Sequence, residues 1–175
     1  MTTKYTSSFA TLHWVHAVLI TFLTIGAMLA MPDLPKDGSA LVDFKMHIIL
    51  GAIVMLLTIV RLVMLRFQPE LAPLQFDSSK QLLVTWNHRL IYLFILLTAI
   101  SGIAIARSAH IGQVLFWGYP ISTYAGPGGL TATLGSVHAA MAYTLTALVL
   151  MHIAGVVIYM IQTKENILNR MGFGA

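Results

Sequence analysis

The sequence predicts an all-α integral membrane protein, an up-down four-helix transmembrane bundle. Of its 175 residues, 58% are hydrophobic and only 9% are charged, and the mean hydropathy is +0.83. So little polar surface cannot cover a water-soluble globule of this size. A membrane helix needs roughly 20 apolar residues, and the chain has four such runs separated by polar segments. We therefore expect a single transmembrane domain over residues 1–175, with membrane lipid around it.

The four apolar runs define the expected spans. The first covers about residues 9–31 and lacks a small-residue cleavage site, so a retained helix is expected rather than a signal peptide. A connector rich in proline, glycine and aspartate separates it from the second span, about 41–65. The third span covers about 81–106 and the fourth about 130–162. Between these two, glycines, prolines and aromatic residues predict a loop at the membrane interface.

Four spans place both chain ends on one side of the membrane, and the basic residues predict which side. On the side of the termini, seven Lys and Arg residues stand against three acidic residues, a net charge of +4. On the other side, Lys36, Lys45 and Arg107 are balanced by three aspartates. Cytoplasmic segments carry an excess of Lys and Arg, so both termini are expected in the cytoplasm. The basic residues are scattered at helix ends and form no patch, so no nucleic-acid partner is expected.

Histidines in the spans are the strongest functional signal, because ionisable groups are costly inside a membrane and usually have a function there. His138 and His152 lie fourteen residues apart on the fourth span. This spacing puts them on nearly the same face and about 21 Å apart along the helix. Antiparallel topology brings His13 of the first span level with His152, and His47 of the second span level with His138. The sequence thus predicts two His–His pairs at two depths.

Haem is the cofactor that best suits such pairs. The chain has no cysteine, which excludes thiolate-held iron–sulfur clusters and covalently attached c-type haem. A His pair alone is a poor zinc or copper site, because no Cys, Asp or Glu stands near to complete the coordination, whereas a porphyrin brings four nitrogens of its own. We expect two noncovalent haem b groups, with His13, His152, His47 and His138 as axial iron ligands. Filled axial positions favour electron transfer over chemistry at the iron.

Further residues are expected to complete the cofactor sites. Gly51, Gly102 and Gly155 are expected where helix backbones approach a flat macrocycle. Arg61 stands fourteen residues after His47 and so on the same face, at the depth of the cytoplasmic haem. There its guanidinium is expected to hold haem propionates.

Three other histidines have less definite roles. His16, one turn after His13, is either an alternative iron ligand or an interior histidine bonded to a carbonyl. His88, on the third span, is expected to contact a propionate or a quinone, with a structural role as the alternative. His110 follows the third span and is expected to be an ordinary surface residue.

These motifs resemble the bacterial cytochrome b561 family, four-helix di-haem proteins related to the cytochrome b subunits of nickel–iron hydrogenases. The segment LHWVHA resembles the first-helix His-Trp motif of this family and matches His13 to the ligand position. MHIILGAIVMLLTIVRLVMLR, NHRLIYL and FWGYPI resemble its second helix, its third helix and the loop before its fourth helix. The resemblance covers nearly the whole chain, and the fourteen-residue pair His138 and His152 is its most specific part.

The resemblance implies an oxidoreductase or electron carrier of the bacterial inner membrane, with ubiquinone as its electron partner. It also implies a small periplasmic donor, for which superoxide is one candidate. Lys45, Arg107 and His110 are predicted to draw such an anion toward the outer haem. Two alternatives stay open. One is a haem-carrying anchor subunit of a larger dehydrogenase or hydrogenase, and the other is a haem-free transporter that uses histidines as relays.

Overall fold

The computed structural model describes residues 4–30, 33–35, 39–74, 76–120, 123–126 and 128–172, with residues 42, 43 and 112 described by backbone alone. Within these ranges the chain forms α1 (Ser7–Ala30), α2 (Leu41–Leu65), α3 (Ser78–Ser108), α4 (Ile111–Trp117), α5 (Gly129–Thr163) and a 3₁₀ helix (Ile167–Met171). Four of them, all but α4 and the 3₁₀ helix, are long and apolar enough to cross a membrane. The predicted all-α membrane bundle is confirmed. Lys36 and Asp37, which contributed to the topology prediction, lie outside the described residues.

The helices pack in sequence, α1 on α2, α2 on α3 and α3 on α5, and the last contact is the most extensive. In the described part of the chain, the backbones of α1 and α2 do not pack closely on α5. Val54, Ile95 and Leu145 form a buried apolar cluster that joins α2, α3 and α5. Leu145 stands midway between His138 and His152 in the sequence. An apolar layer therefore lies at a depth between those of His138 and His152.

The segment between α3 and α5 differs from its prediction, because the expected loop contains the seven-residue helix α4. His110, with φ 58°, and Gly118, with φ 71°, take left-handed conformations at its two ends. Residues in the left-handed conformation occur at the ends of short helices as well as in loops. Ile111 anchors α4 by packing against Leu41 and Ala109. The glycines and prolines of the segment thus limit the length of a helix without preventing it.

Both chain ends lie at one end of the bundle. The Tyr5 backbone N–H donates to the Arg170 carbonyl over 3.1 Å, and the Trp14 indole donates to the Met171 carbonyl over 2.8 Å. Arg170 in turn donates from Nη1 to the Ala72 carbonyl over 2.7 Å. These contacts join the N-terminal segment, the α2–α3 loop and the 3₁₀ helix into one cap. We call this the terminal end of the bundle and the opposite one the α4 end.

Candidate functional site

Two pairs of histidine rings face each other between helices, one pair near each end of the bundle. At the terminal end, His13 of α1 and His152 of α5 have ring centroids 6.4 Å apart. At the α4 end, His47 of α2 and His138 of α5 have ring centroids 6.2 Å apart. All four side chains are partly buried. The structure thus brings together the four predicted histidines, in the combinations that their depths predicted.

The ring separations suit one metal ion between the two rings of each pair. A metal–imidazole bond is about 2.0 Å long and the ring centre lies about 1.1 Å beyond the nitrogen, so imidazoles on opposite sides of one metal have centroids about 6.2 Å apart. The observed 6.4 Å and 6.2 Å agree with this value. No cluster of three or more His, Cys, Asp or Glu side chains suited to a metal ion occurs among the described residues. The donor set therefore fits a metal that brings its own equatorial ligands, as haem iron does.

Residues of α3 fix the ring of His138. The Ser101 hydroxyl lies 2.9 Å from His138 Nδ1, and it also donates to the Thr98 carbonyl over 2.8 Å. A Cβ atom on Gly102 would lie 3.2 Å from His138 Cε1, so the glycine permits the backbone of α3 to approach this ring. For Gly51 and Gly155, a Cβ atom would meet no atom within 4 Å. The close approach that the sequence predicted at Gly102 is thus made here to the histidine.

Arg61 is a buried cation beside the other pair. It is only 7% exposed, and its Nη1 lies 2.7 Å from His13 Nδ1. The guanidinium carbon lies 4.8 Å from the centre of the Phe9 ring and 5.9 Å from that of Tyr92. Its buried Nε has no hydrogen-bond partner among the described residues. An anionic oxygen, such as that of a propionate, would satisfy this donor.

Comparison with known families decides the class of protein. A family model of prokaryotic cytochrome b561 matches residues 4–174. The chain belongs to the prokaryotic cytochrome b561 family. No curated protein and no solved structure matched the chain. Membership makes b-type haem the cofactor and haem-based electron transfer in a bacterial membrane the function.

In this cytochrome b561, His16 is engaged by α2. The ring is 2% exposed, and its Nε2 lies 3.0 Å from the Thr58 hydroxyl. That hydroxyl also lies 2.7 Å from the Val54 carbonyl, which can only accept; when the hydroxyl donates there, the imidazole donates from Nε2. The buried polar groups of this chain of hydrogen bonds satisfy one another. The geometry favours the interior role for His16, and it leaves His13 as the partner of His152.

His88 makes a third ring at the terminal end of the cytochrome. Its ring centroid lies 4.8 Å from that of His152, which is too short for two ligands on opposite sides of one metal. His88 Nδ1 donates to the Val84 carbonyl over 2.7 Å, and the side chain is exposed. The Nδ1 hydrogen bond leaves Nε2 as the nitrogen that can meet another group. His88 is therefore beside the His pair and not part of it.

Sequence reasoning missed two hydroxyl residues that contact histidines in this cytochrome b561. Ser101 lies beside His138, and Thr58 lies beside His16. Each is a polar residue in an otherwise apolar span, which is a usable signal, since an uncharged hydroxyl within a span can bond a neighbouring helix. What the sequence does not give is the histidine that each one contacts.

Proposed function

We propose that this cytochrome b561 carries electrons between two haem b groups, one at each end of the bundle. His13 and His152 hold one iron, and His47 and His138 hold the other. The observation that carries this proposal is that both pairs have ring separations suited to two ligands on opposite sides of one metal, 6.4 Å and 6.2 Å. Held by these histidines, each haem would supply one-electron chemistry.

The residues of the chain assign a role to each end. We assign the terminal end to the cytoplasm and the α4 end to the periplasm, and the excess of basic residues on the side of the termini supports this assignment. Arg61 offers its buried guanidinium to the propionates of the haem at the terminal end. The apolar layer of Val54, Ile95 and Leu145 lies between the two pairs, so electrons that pass from one haem to the other would cross a mainly apolar part of the bundle.

A reduced-minus-oxidised optical spectrum of the detergent-purified protein, with pyridine haemochrome quantitation, tests the proposal. About two haem b groups per chain with a low-spin spectrum are expected, because both axial positions of each iron are filled. A single haem would contradict the two-site arrangement. A protein that binds no haem would overturn the proposal and favour the transporter that uses histidines as relays.

Ubiquinone is the proposed electron partner at the terminal end, and His88 is its proposed contact. The exposed ring has one nitrogen engaged by the Val84 carbonyl, so Nε2 is the nitrogen that faces a ligand. An imidazole that carries a proton on Nε2 donates a hydrogen bond to a quinone carbonyl. After that proton has passed to the reduced quinone, the same nitrogen accepts a hydrogen bond from the quinol hydroxyl.

Replacing His88 by alanine is expected to slow electron exchange with ubiquinone by about 10- to 100-fold, because proton transfer by a positioned side chain typically contributes at least that much. Stopped-flow oxidation of the reduced haems by a soluble quinone measures the rate. The haem content should stay unchanged, since His88 is not one of the paired rings. His110→Ala is the matched control, an exposed histidine at the opposite end. An unchanged rate in His88→Ala would remove His88 from the quinone site.

At the α4 end we propose a small anionic donor such as superoxide. Lys45 Nζ lies 5.5 Å from the centre of the Phe116 ring on α4, and Arg107 and His110 are exposed where α3 meets α4. These three groups lie at the α4 end, which carries no net charge because aspartates balance its basic residues. The proposed effect is therefore local, since positive charges close to the site of reaction raise the rate of encounter with an anion.

The double variant Lys45→Gln/Arg107→Gln is expected to lower the rate of haem reduction by superoxide by about tenfold at low ionic strength, and less at high salt. Pulse-radiolysis kinetics measures this rate. The double variant Arg66→Gln/Arg89→Gln removes the same charge from two exposed positions at the terminal end, one directly after α2 and one in α3, and it should react as the unmodified protein does. Equal rates for all three proteins would exclude electrostatic attraction of superoxide to the α4 end.

A further inference from the structure

The two histidine pairs differ in the hydrogen bond made at Nδ1 of one member. His138 Nδ1 lies 2.9 Å from the hydroxyl of Ser101. That hydroxyl has a single hydrogen and also bonds the Thr98 carbonyl, 2.8 Å away; when it donates there, it accepts from His138. The Thr98 carbonyl is a second partner of the His138 ring, and a carbonyl too can only accept. The imidazole therefore donates from Nδ1. In neutral His138, the Nε2 lone pair is then free.

The pair at the terminal end has the opposite arrangement. His13 Nδ1 lies 2.7 Å from Nη1 of Arg61, and a guanidinium can only donate. His13 must accept at Nδ1, so its own hydrogen is on Nε2. This ring cannot offer Nε2 to iron until Arg61 has moved from Nδ1. The Nε2 lone pair is therefore available to iron in His138, whereas in His13 the Nε2 atom carries the hydrogen.

We propose that Ser101 is a positioning residue for the haem at the α4 end. It holds the hydrogen of His138 on Nδ1 and thereby presents Nε2 to the iron. This inference rests on the proposed function, since it assigns a role toward the haem held by His47 and His138. Ser101 is 7% exposed, so water does not readily replace its hydroxyl.

The backbone beside Ser101 supports this role. A Cβ atom on Gly102 would lie 3.2 Å from Cε1 of His138, so α3 contacts the ring next to the nitrogen that the hydroxyl engages. The serine sets the tautomer, and the glycine lets the helix come close enough for the hydroxyl to reach. Partners of this kind fix the orientation of a metal-binding histidine and raise its basicity, and their loss typically lowers metal affinity about 10- to 100-fold.

Three variants of the full-length haem protein test the proposal. Ser101→Ala removes the acceptor, and Ser101→Thr retains a hydroxyl at the same position. Ser136→Ala is the matched control, because Ser136 is an exposed serine of α5 whose hydroxyl bonds its own helix, at the Ala132 carbonyl over 3.2 Å. Two quantities are measured without any turnover: the rate of haem transfer to excess apomyoglobin, and the midpoint potential of each haem in an EPR-monitored redox titration.

In Ser101→Ala, one of the two haems is expected to be lost about 10- to 100-fold faster. The midpoint potential of the same haem should become more positive, because a less basic imidazole stabilises ferric iron less. The other haem, the Ser101→Thr variant and the Ser136→Ala variant should match the unmodified protein. Equal haem loss in Ser101→Ala and the unmodified protein would overturn the role of Ser101, as would equal changes at both haems. If the unmodified protein carries no haem, the proposed function itself fails, and this inference fails with it.

Discussion

Replacing the ligand histidines two at a time is expected to remove one haem or both, according to how the two residues are chosen. The double variant His13→Ala/His152→Ala removes both ligands of one iron and should retain about one haem per chain. The double variant His13→Ala/His138→Ala removes one ligand from each iron and should retain no six-coordinate low-spin haem. The reason is that each iron needs an imidazole on both faces to be low-spin. Pyridine haemochrome quantitation measures the haem content per chain, and the EPR spectrum of the oxidised protein shows whether the haem is low-spin.

The same experiment distinguishes the pairing from its alternatives. If His13 were paired with His138, the outcomes of the two double variants would be exchanged. If His16 were the ligand in place of His13, His13→Ala alone would keep both low-spin haems, and His16→Ala would lose one. His110→Ala is the control for loss of an exposed histidine. Far-UV circular dichroism of each variant separates loss of haem from loss of the helical bundle.

Replacing Arg61 by glutamine is expected to lower the midpoint potential of the haem at the terminal end by about 90 mV. A unit charge about 8 Å from a redox centre is worth about 2 kcal/mol at an effective dielectric constant of about 20. That energy is about 90 mV for a one-electron couple. The sign follows because a nearby cation opposes the more positive ferric state, so its removal stabilises that state. The estimate rests on Arg61 staying buried at the terminal end, near the depth of His13, after its guanidinium has left His13 Nδ1 for the haem propionates.

The Arg61→Gln prediction has two internal checks. Arg61→Lys keeps the charge, so the midpoint potential of this haem should stay close to that of the unmodified protein. Arg66→Gln removes an exposed arginine from the end of the same helix, where water screens the charge, and it should shift neither haem measurably. Equal shifts of both haems in Arg61→Gln would contradict the assignment of Arg61 to one end of the bundle.

The pairing of the histidines could be predicted from the sequence because it depends only on depth. Depth along a membrane helix follows from residue number at 1.5 Å per residue, and antiparallel topology then relates His13 to His152 and His47 to His138. The depth of Arg61, near that of the pair at the terminal end, follows from the same arithmetic, whereas its contact with His13 does not. The structure agrees with the sequence at each of these points.

The contacts of Ser101 and Thr58 could not be predicted, because they depend on how each helix is rotated about its own axis. In a soluble bundle the polar face of a helix reveals that rotation, but a membrane span is apolar on all sides and gives no such guide. The helix α4 was missed for a different reason. Seven residues give too few turns for a periodic pattern, and the glycines nearby are equally typical of a loop.

The arrangement of α5 has a consequence for the synthesis of the protein. This helix supplies one histidine to each pair, His138 near its start and His152 near its end. It is also the last membrane helix of the four to leave the ribosome. With the proposed ligands, a nascent chain that has inserted only α1 to α3 has one histidine of each pair and lacks the other. We therefore expect haem delivery to follow insertion of α5, and a chain cut before α5 to purify without haem.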